Sequence, residues 1–467
     1  MSLSPVPLFG LGNQGKSANV DAQSRVNLYV EVQSDPEKNI LTLYPTPGLS
    51  VFVNFGLNPI RGIYERGEVL YAVVGLTLYS INNAGTTTVL GTLLNTSSGR
   101  VYFADNGTQL MLVDGTSGYI YNFNTLVFAQ ITDVDFPGAV TVTFFNGRFV
   151  VNKPNSGEFY ISDLYDGLSW DALDYATAES DPDNLVRVIA DSGSLCLFGD
   201  KTIEFWGDSG AADFPYARVG SFAIEWGLAA RASLCKYMDA LIFLRKNRLG
   251  QIQVCIQSGA SAQAVSTPEI DYIFSQYSAT SDATAFTYML SGHAMYQINF
   301  PTPNESWLFD GQSKSWSKVQ YGTSGRHRAE MQVQLLSKNY VTDYANGKLY
   351  RFQEGVYTDD GAMIVREFVG RHVSNGNYTH FSTMWLDMEA GVGLNLGQGV
   401  APQLMMQISR DGGHEWGTEI WRDIGAMGKY KARAVFNRLG RARDWLMRFR
   451  VTDPVKTVFV AAWGRLK

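Results

Sequence analysis

Between Val69 and Phe352 the chain passes seven times through the same short pattern: a very apolar run, a tight turn, and a second run tipped by an aromatic side chain. The pairs are 69–74 with 75–80, 109–113 with 118–123, 143–151 with 158–162, 194–198 with 201–206, 240–244 with 251–255, 293–298 with 306–309, and 340–343 with 347–352. Asn-Gly, Asp-Gly and Gly-Thr turns separate the runs, so each pair reads as a β-hairpin. The pairs recur at intervals of about 30 to 50 residues, which leaves room for four strands per unit. A lone four-stranded sheet cannot bury both faces, but a ring of such sheets can. The pattern therefore predicts an all-β chain whose main domain is a β-propeller of six or seven blades.

Residues 305–319 resemble a kelch-like blade end, and there Trp307 and Trp316 are expected to wedge between neighbouring sheets. The strand at 39–44 (Asn-Ile-Leu-Thr-Leu-Tyr) is expected to close the ring against the last blade. One helix stands out: Thr267 as its cap, Pro268 in its first turn, and Ile270, Ile273, Phe274 and Tyr277 on one face, a packing helix at the propeller rim. After residue 355 the strands lengthen, at 381–388, 403–409, 416–422, 445–451 and 455–463, and their number suits a β-sandwich. The expected organisation is an N-terminal arm with a ring-closing strand (1–55), a β-propeller (56–354) and a C-terminal β-sandwich (355–467).

Composition agrees with this reading. Hydrophobic residues make up 45% and charged residues 18%, which excludes a mainly disordered chain. The first ten residues hold two prolines and no basic cluster, and no run has the roughly 18 apolar residues of a membrane span. The expectation is a cytoplasmically made protein without membrane insertion. Cys196, Cys235 and Cys255 lie far apart and read as buried thiols. The net charge of −6 is divided unevenly: residues 421–467 hold twelve Lys/Arg against three Asp, a balance of +9 that leaves −15 on residues 1–420.

No chemistry-bearing motif survives inspection. The five histidines lack metal spacing, and no G-x-S-x-G or P-loop occurs. The Gly-x-Gly-x-x-Gly at 10–15 has neither a strand before it nor a helix after it. The acidic pairs Asp181/Asp183 and Asp359/Asp360 sit in turn contexts. Ser409-Arg-Asp411-Gly-Gly413-His-Glu-Trp416 fits the Asp-box hairpin of sialidases except that Glu415 replaces the usual Thr; in that hairpin the Asp caps turn amides and the Trp packs beneath, and the role assigned to Ser409, Asp411, Gly413 and Trp416 is structural. No catalytic residue, cofactor or metal ligand is assigned. Lys429, Lys431, Arg433, Arg438, Arg441 and Arg443 alternate with apolar residues, a pattern for a protein interface rather than a nucleic-acid grip.

Several of these segments together resemble the packaged-DNA stabilisation protein, or tail nozzle (tail hub), family of short-tailed phages of the Salmonella podovirus type. They are Arg25-Val-Asn-Leu28 with Tyr44-Pro-Thr-Pro-Gly-Leu49; Ile161-Ser-Asp-Leu-Tyr-Asp166, Ala178-Glu-Ser-Asp-Pro-Asp183 and Phe198-Gly-Asp-Lys-Thr-Ile-Glu-Phe205; the helix around 270–277; and Ser409-Arg-Asp-Gly412, Arg438-Leu-Gly-Arg441 and Phe449-Arg-Val-Thr452. Their order along nearly the whole chain is what makes the resemblance specific.

The resemblance implies a structural virion protein and not an enzyme. It implies a homohexameric ring below the portal and adaptor, extending the DNA channel and retaining packaged DNA, with a needle or plug at its tip and a tailspike or fibre as a further neighbour. Assembly would occur in the host bacterial cytoplasm. The six basic residues above would then meet the adaptor. The turns at Asp105, Asp114 and Asp310 would face a channel through which double-stranded DNA passes without specific binding. The competing class is a tail-associated carbohydrate-binding or glycan-depolymerising propeller, which needs a carboxylate cluster on one propeller face.

Overall fold

A computed structural model describes residues 4–33, 41–178, 181–211, 214–220, 223–259, 261–374 and 376–466. Of the residues singled out above, Asn39, Ile40, Glu179, Ser180 and Lys467 lie outside this set.

Among the described residues the ring has seven blades. Six of them follow one another along the chain: 60–92, 102–130, 142–177, 185–218, 227–264 and 284–319. Each expected hairpin falls in a different blade, mostly as its two middle strands. Those strands are covered on both faces by neighbouring sheets, which is why they read as unbroken apolar runs. Every residue of Gln109–Val113 and of His293–Phe300 is buried. In the third blade the run 143–151 is not one strand. It turns at Asn146 and Gly147, both at positive φ, to give Val142–Phe145 and Arg148–Asn152. The first strands of most successive blades contact one another around the axis, and Ala329–Leu335 of blade 7 meets Ile60–Arg66 of blade 1.

The ring is closed by a strand other than the one expected. Blade 7 takes three strands from 329–353 and its fourth from Gly48–Asn54, antiparallel to Lys348–Gln353 with Leu49 opposite Phe352. The expected closing strand, 39–44, instead contributes Leu41–Pro45 to the sandwich, where it pairs with Leu28–Val32 and places Leu43 opposite Phe459. Pro45 and Pro47 explain the exchange. Neither can donate a ladder hydrogen bond, so pairing stops there and the chain crosses to the other domain.

The sandwich is likewise built from both ends of the chain, and the segment expected as an arm is part of it. One sheet runs Ser24–Val26, Arg366–Val369, Leu446–Val451, Gln403–Ser409, Ile420–Asp423. The other runs Leu28–Val32, Leu41–Pro45, Phe459–Leu466, Thr379–Met388, Ala434–Ala442, with Ser4–Pro5 added on Phe459–Leu466. Leu28, Val30 and Leu43 pack between them against Phe381, Met406, Trp445 and Phe449. Ala434–Ala442, read from the sequence only as a basic stretch, is a full strand; of the expected 416–422 only Ile420–Asp423 is strand.

Domain and ring are not merely linked. The first sandwich sheet continues into blade 6 through a parallel bridge, Val26 to Lys318. The helix Pro268–Ser275 fills the space between blades 5 and 6, burying Ile270 and Phe274 beside Trp307 and Trp316. Its cap differs from expectation. Thr267 occupies the N-cap position, but its side chain makes no capping hydrogen bond, so Pro268 at the first position carries the start.

Candidate functional site

Three neighbouring residues, Arg25, Val26 and Asn27, tie ring and sandwich together. The Arg25 guanidinium is buried and donates to the carbonyls of Gly10 (2.7 Å), Gly12 (3.1 Å), Leu11 (3.2 Å) and Trp316 (2.6 Å) and to the Ser317 hydroxyl (3.3 Å). Burial lowers its pKa to about 10, against a smaller opposing pull from Asp21. Asn27 sits at positive φ (53°), where the chain leaves one sheet for the other. Its amide donates to Gln320 O and Val365 O and its side-chain oxygen accepts from Gln320 N. Asn tolerates this left-handed conformation better than most side chains. Beside them, His293 of blade 6 bridges Asp310 (3.0 Å) and Glu31 of the sandwich (2.8 Å). Burial pulls its pKa down, but the two carboxylates outweigh that and the net shift is upward. The sequence reading missed this joint because its members are separated by up to 338 residues and share no motif.

The six basic residues are placed together and all are exposed. Lys429 and Lys431 lie in the turn before Ala434–Ala442, Arg433 precedes that strand, Arg438 and Arg441 lie on it, and Arg443 follows it. This is the last strand of its sheet, paired only with Thr379–Met388. An open edge invites another strand, and here it is managed. Arg422 donates to Val435 O and Arg410 to Leu439 O, both at 2.6 Å. A register shift with Arg438 and Gly440 at positive φ bends the strand. Arg441 and Arg443 stand over the exposed Tyr378 ring at 4.9 and 5.3 Å. The surface therefore offers fixed positive charge with aromatic faces, not a bare strand edge.

The three acidic turns do not share a face. Strand direction alternates within a blade, so Asp105 (end of a first strand) and Asp310 (end of a third) lie at one end of the propeller and Asp114 (end of a second) at the other. Asp310 must be withdrawn as a channel-facing group. It is 2% exposed, with His293 and the Ser313 hydroxyl on its carboxylate. Asp114 accepts from Ser117 N, Thr116 N and the Thr96 hydroxyl, which hold its pKa down against burial. Asp105 accepts from the Tyr64 hydroxyl and Gly107 N.

At 409–416 the geometry is that of a turn. Asp411 accepts from the backbone amides of His414 and Glu415 and from the Ser409 hydroxyl, which in turn receives Gly413 N. Trp416 packs by Ala22, Val369 and Leu446 under the Arg448 guanidinium, 4.0 Å from its ring.

Elsewhere, several titratable groups have structural partners. Asp181 pairs with Lys201 and Arg248, Asp183 caps the amides of Lys201 and Thr202, and Asp360 pairs with Lys348. Burial pushes the Cys196 and Cys255 thiols up to about 12 and Cys235 to about 11, which leaves them unreactive at neutral pH. Among the described residues no group of three or more His, Cys, Asp or Glu is arranged to hold a metal, and no helix is long and apolar enough to cross a membrane.

A cavity of about 570 Å³ sits at the mouth of the propeller axis where the first strands of the blades begin. Six blades border it, through residues including Ile60, Arg100, Val140, Arg231, Ser281 and Met331. No sequence pattern announces it.

A family model described as "Bacteriophage P22 Gp10, beta-propeller" matches residues 5–357, and one described as "Bacteriophage P22 Gp10, beta-sandwich" matches residues 365–464. The tail hub protein gp10 of Salmonella phage P22 is 25% identical over 325 residues, spanning 64% of this chain and 66% of its own length, just under two thirds. Among solved structures, the extracellular domain of a one component system from B. thetaiotaomicron covers 80% of this chain and 47% of its own at 9% identity and a TM-score of 0.45. Virginiamycin B lyase from Staphylococcus aureus covers 63% of this chain and 94% of its own at 10% identity and a TM-score of 0.43. Structural likeness at that level carries no argument about function.

Proposed function

Because the chain belongs to the bacteriophage P22 Gp10 family, through its propeller and its sandwich alike, we propose that it is a structural subunit of a phage tail hub. The observation that carries this reading is the collinear match of both domain models over most of the chain. In this reading the protein resides in the virion tail. Six copies form a ring by repeating one head-to-tail contact about an axis. The ring lies below the portal and adaptor, extends the DNA channel, retains packaged DNA and carries a needle or plug.

The basic edge around Arg438, Arg441 and Arg443 is assigned to the adaptor, because it concentrates the positive charge of a chain that is otherwise acidic. Replacing these three with Glu should leave the subunit folded and block its addition to tail-less heads, with attachment followed by sedimentation. Infectious particles formed at the normal yield by that variant would remove the assignment.

The DNA conduit is placed between the subunits and not along a propeller axis, whose 570 Å³ cavity has the size of a small-molecule site. Its wall should be neutral to acidic, since a basic lining would hold DNA by releasing counterions with every phosphate contacted. The −15 balance of residues 1–420 supports this, and Asp105 remains a candidate for the wall. A reconstruction of the assembled tail tests copy number and wall together. A number other than six, or a continuous positive lining, would overturn the corresponding part.

A further inference from the structure

The axial cavity has a charge imbalance on one side. Arg100, before the first strand of blade 2, and Arg231, where the first strand of blade 5 is interrupted, line it; Arg187, on the first strand of blade 4, stands beside them outside the lining. The guanidiniums of Arg100 and Arg187 flank one ring, Tyr102, at 5.7 and 5.1 Å. Arg187 donates to the carbonyls of Arg231 (3.1 Å) and Leu234 (2.6 Å), and Arg231 donates to Val186 O (3.0 Å). Among the described residues none of the three has a carboxylate within 4.0 Å. Arg100 makes no hydrogen bond, and its Nη1 is buried without a partner. A buried charged donor left unmet is costly, and three guanidiniums without a counter-charge repel one another. Burial, then the neighbouring Arg100 and Arg231, lower the Arg187 pKa even though Tyr102 and Cys235 oppose them.

The acidic groups at the same cavity are otherwise engaged. Asp114 is held by its turn and by Thr96, Glu330 pairs with Arg326, and Asp282 accepts from Thr302 on the blade 6 side. Arg61, also at the cavity, spends its donors on the carbonyls of Gly75, Thr96, Ser98 and Gly99. Asp282 Oδ1 is buried without a partner, which disfavours an anion on that side and confines it to the side of blades 2 and 5.

We propose that the axial mouth of the propeller binds a small polyvalent phosphate anion between Arg100 and Arg231, with the charge of Arg187 close by beside Tyr102. Phosphate oxygens match the planar fork of guanidinium donors, and a polyvalent anion satisfies several at once. The cavity volume falls within the range of small-ligand sites. The inference is independent of the hub reading, since it concerns a site within one subunit.

The test is calorimetric titration of the full chain with inorganic pyrophosphate at constant ionic strength. One saturable site per chain is expected. The double variant R100Q/R231Q should weaken binding by on the order of tenfold or more while keeping the wild-type melting temperature to within a few degrees, because neither side chain makes more than one hydrogen bond in the fold. K338Q, on an exposed hairpin of blade 7 outside the cavity lining, should bind as wild type. A short single-stranded oligonucleotide is the second arm. Its competition for the site assigns the phosphate to nucleic acid, and failure to compete assigns it to a free anion. Absence of saturable binding, or equal binding by R100Q/R231Q, overturns the proposal. So does a variant that loses subunit assembly although wild type never binds pyrophosphate, since the guanidiniums would then be receiving a carboxylate from a neighbouring protein.

Discussion

The propeller and the sandwich are both made of antiparallel sheets, yet their cores are assembled in opposite ways. Six of the seven blades close their sheets with strands that follow one another in the chain, so their pairings join near neighbours. The sandwich does the reverse. Of the 25 buried residues in its core, six (Val6, Leu8, Phe9, Leu28, Val30 and Leu43) come from the first 45 residues, more than 300 positions from their partners. The contrast shows where each region is vulnerable. A blade can be damaged locally, whereas the sandwich can be undone from the far end of the chain.

Deleting residues 1–47 should have the largest effect, because it spares Gly48–Asn54 and so leaves the ring closed. Six lost core side chains at roughly 1.5–3 kcal/mol each remove about 9–18 kcal/mol, comparable to the whole stability of a domain. Limited proteolysis should then cut rapidly within 365–464 and slowly within 60–353. Equal protection of both regions would mean that the N-terminal strands are dispensable to the sandwich.

Next come two buried tryptophans, one per region. Trp316→Ala in blade 6 and Trp445→Ala in the sandwich should each cost about 3–5 kcal/mol. The shared sheet through Val26 and Lys318 and the clamp at Arg25 imply that both variants lower one common unfolding transition. Two calorimetric transitions, each moved by one variant only, would show that the regions unfold separately.

A smaller effect tests the joint itself. The folded pKa of His293 lies above its ordinary value near 6.5, so the bridge to Glu31 and Asp310 stabilises the fold fully below about pH 6.5. That contribution is lost as pH rises through the folded value. His293→Gln should therefore destabilise more at pH 5.5 than at pH 8.5, as measured by urea unfolding. A pH-independent difference would mean that the histidine acts by packing alone.

The smallest effect concerns the helix between blades 5 and 6. A hydrogen-bonding N-cap is worth about 1 kcal/mol, but Thr267 makes no such bond. Thr267→Ala should change the denaturation midpoint by less than about 0.5 kcal/mol equivalent. A larger loss would show that the side chain caps the helix in solution.

The seven hairpins, the helix with its buried Ile270 and Phe274, and the change of strand length after residue 355 are visible in the order of residues, because each depends on periodicity and turn chemistry within about ten positions. The choice of closing strand is different in kind. Both Leu41–Pro45 and Gly48–Asn54 have strand character; which one joins blade 7 follows from the edges left open in three dimensions and from the break at Pro45 and Pro47. Charge behaves likewise. Counting placed −15 on residues 1–420, but only folding buries Asp310 against His293 and brings Arg100 and Arg231 to the axial cavity with no carboxylate paired to them. Local pattern selects elements because neighbouring residues share a backbone. Partners across 100 residues or more are selected by packing and by the need to satisfy every buried polar group, and no spacing along the chain encodes that.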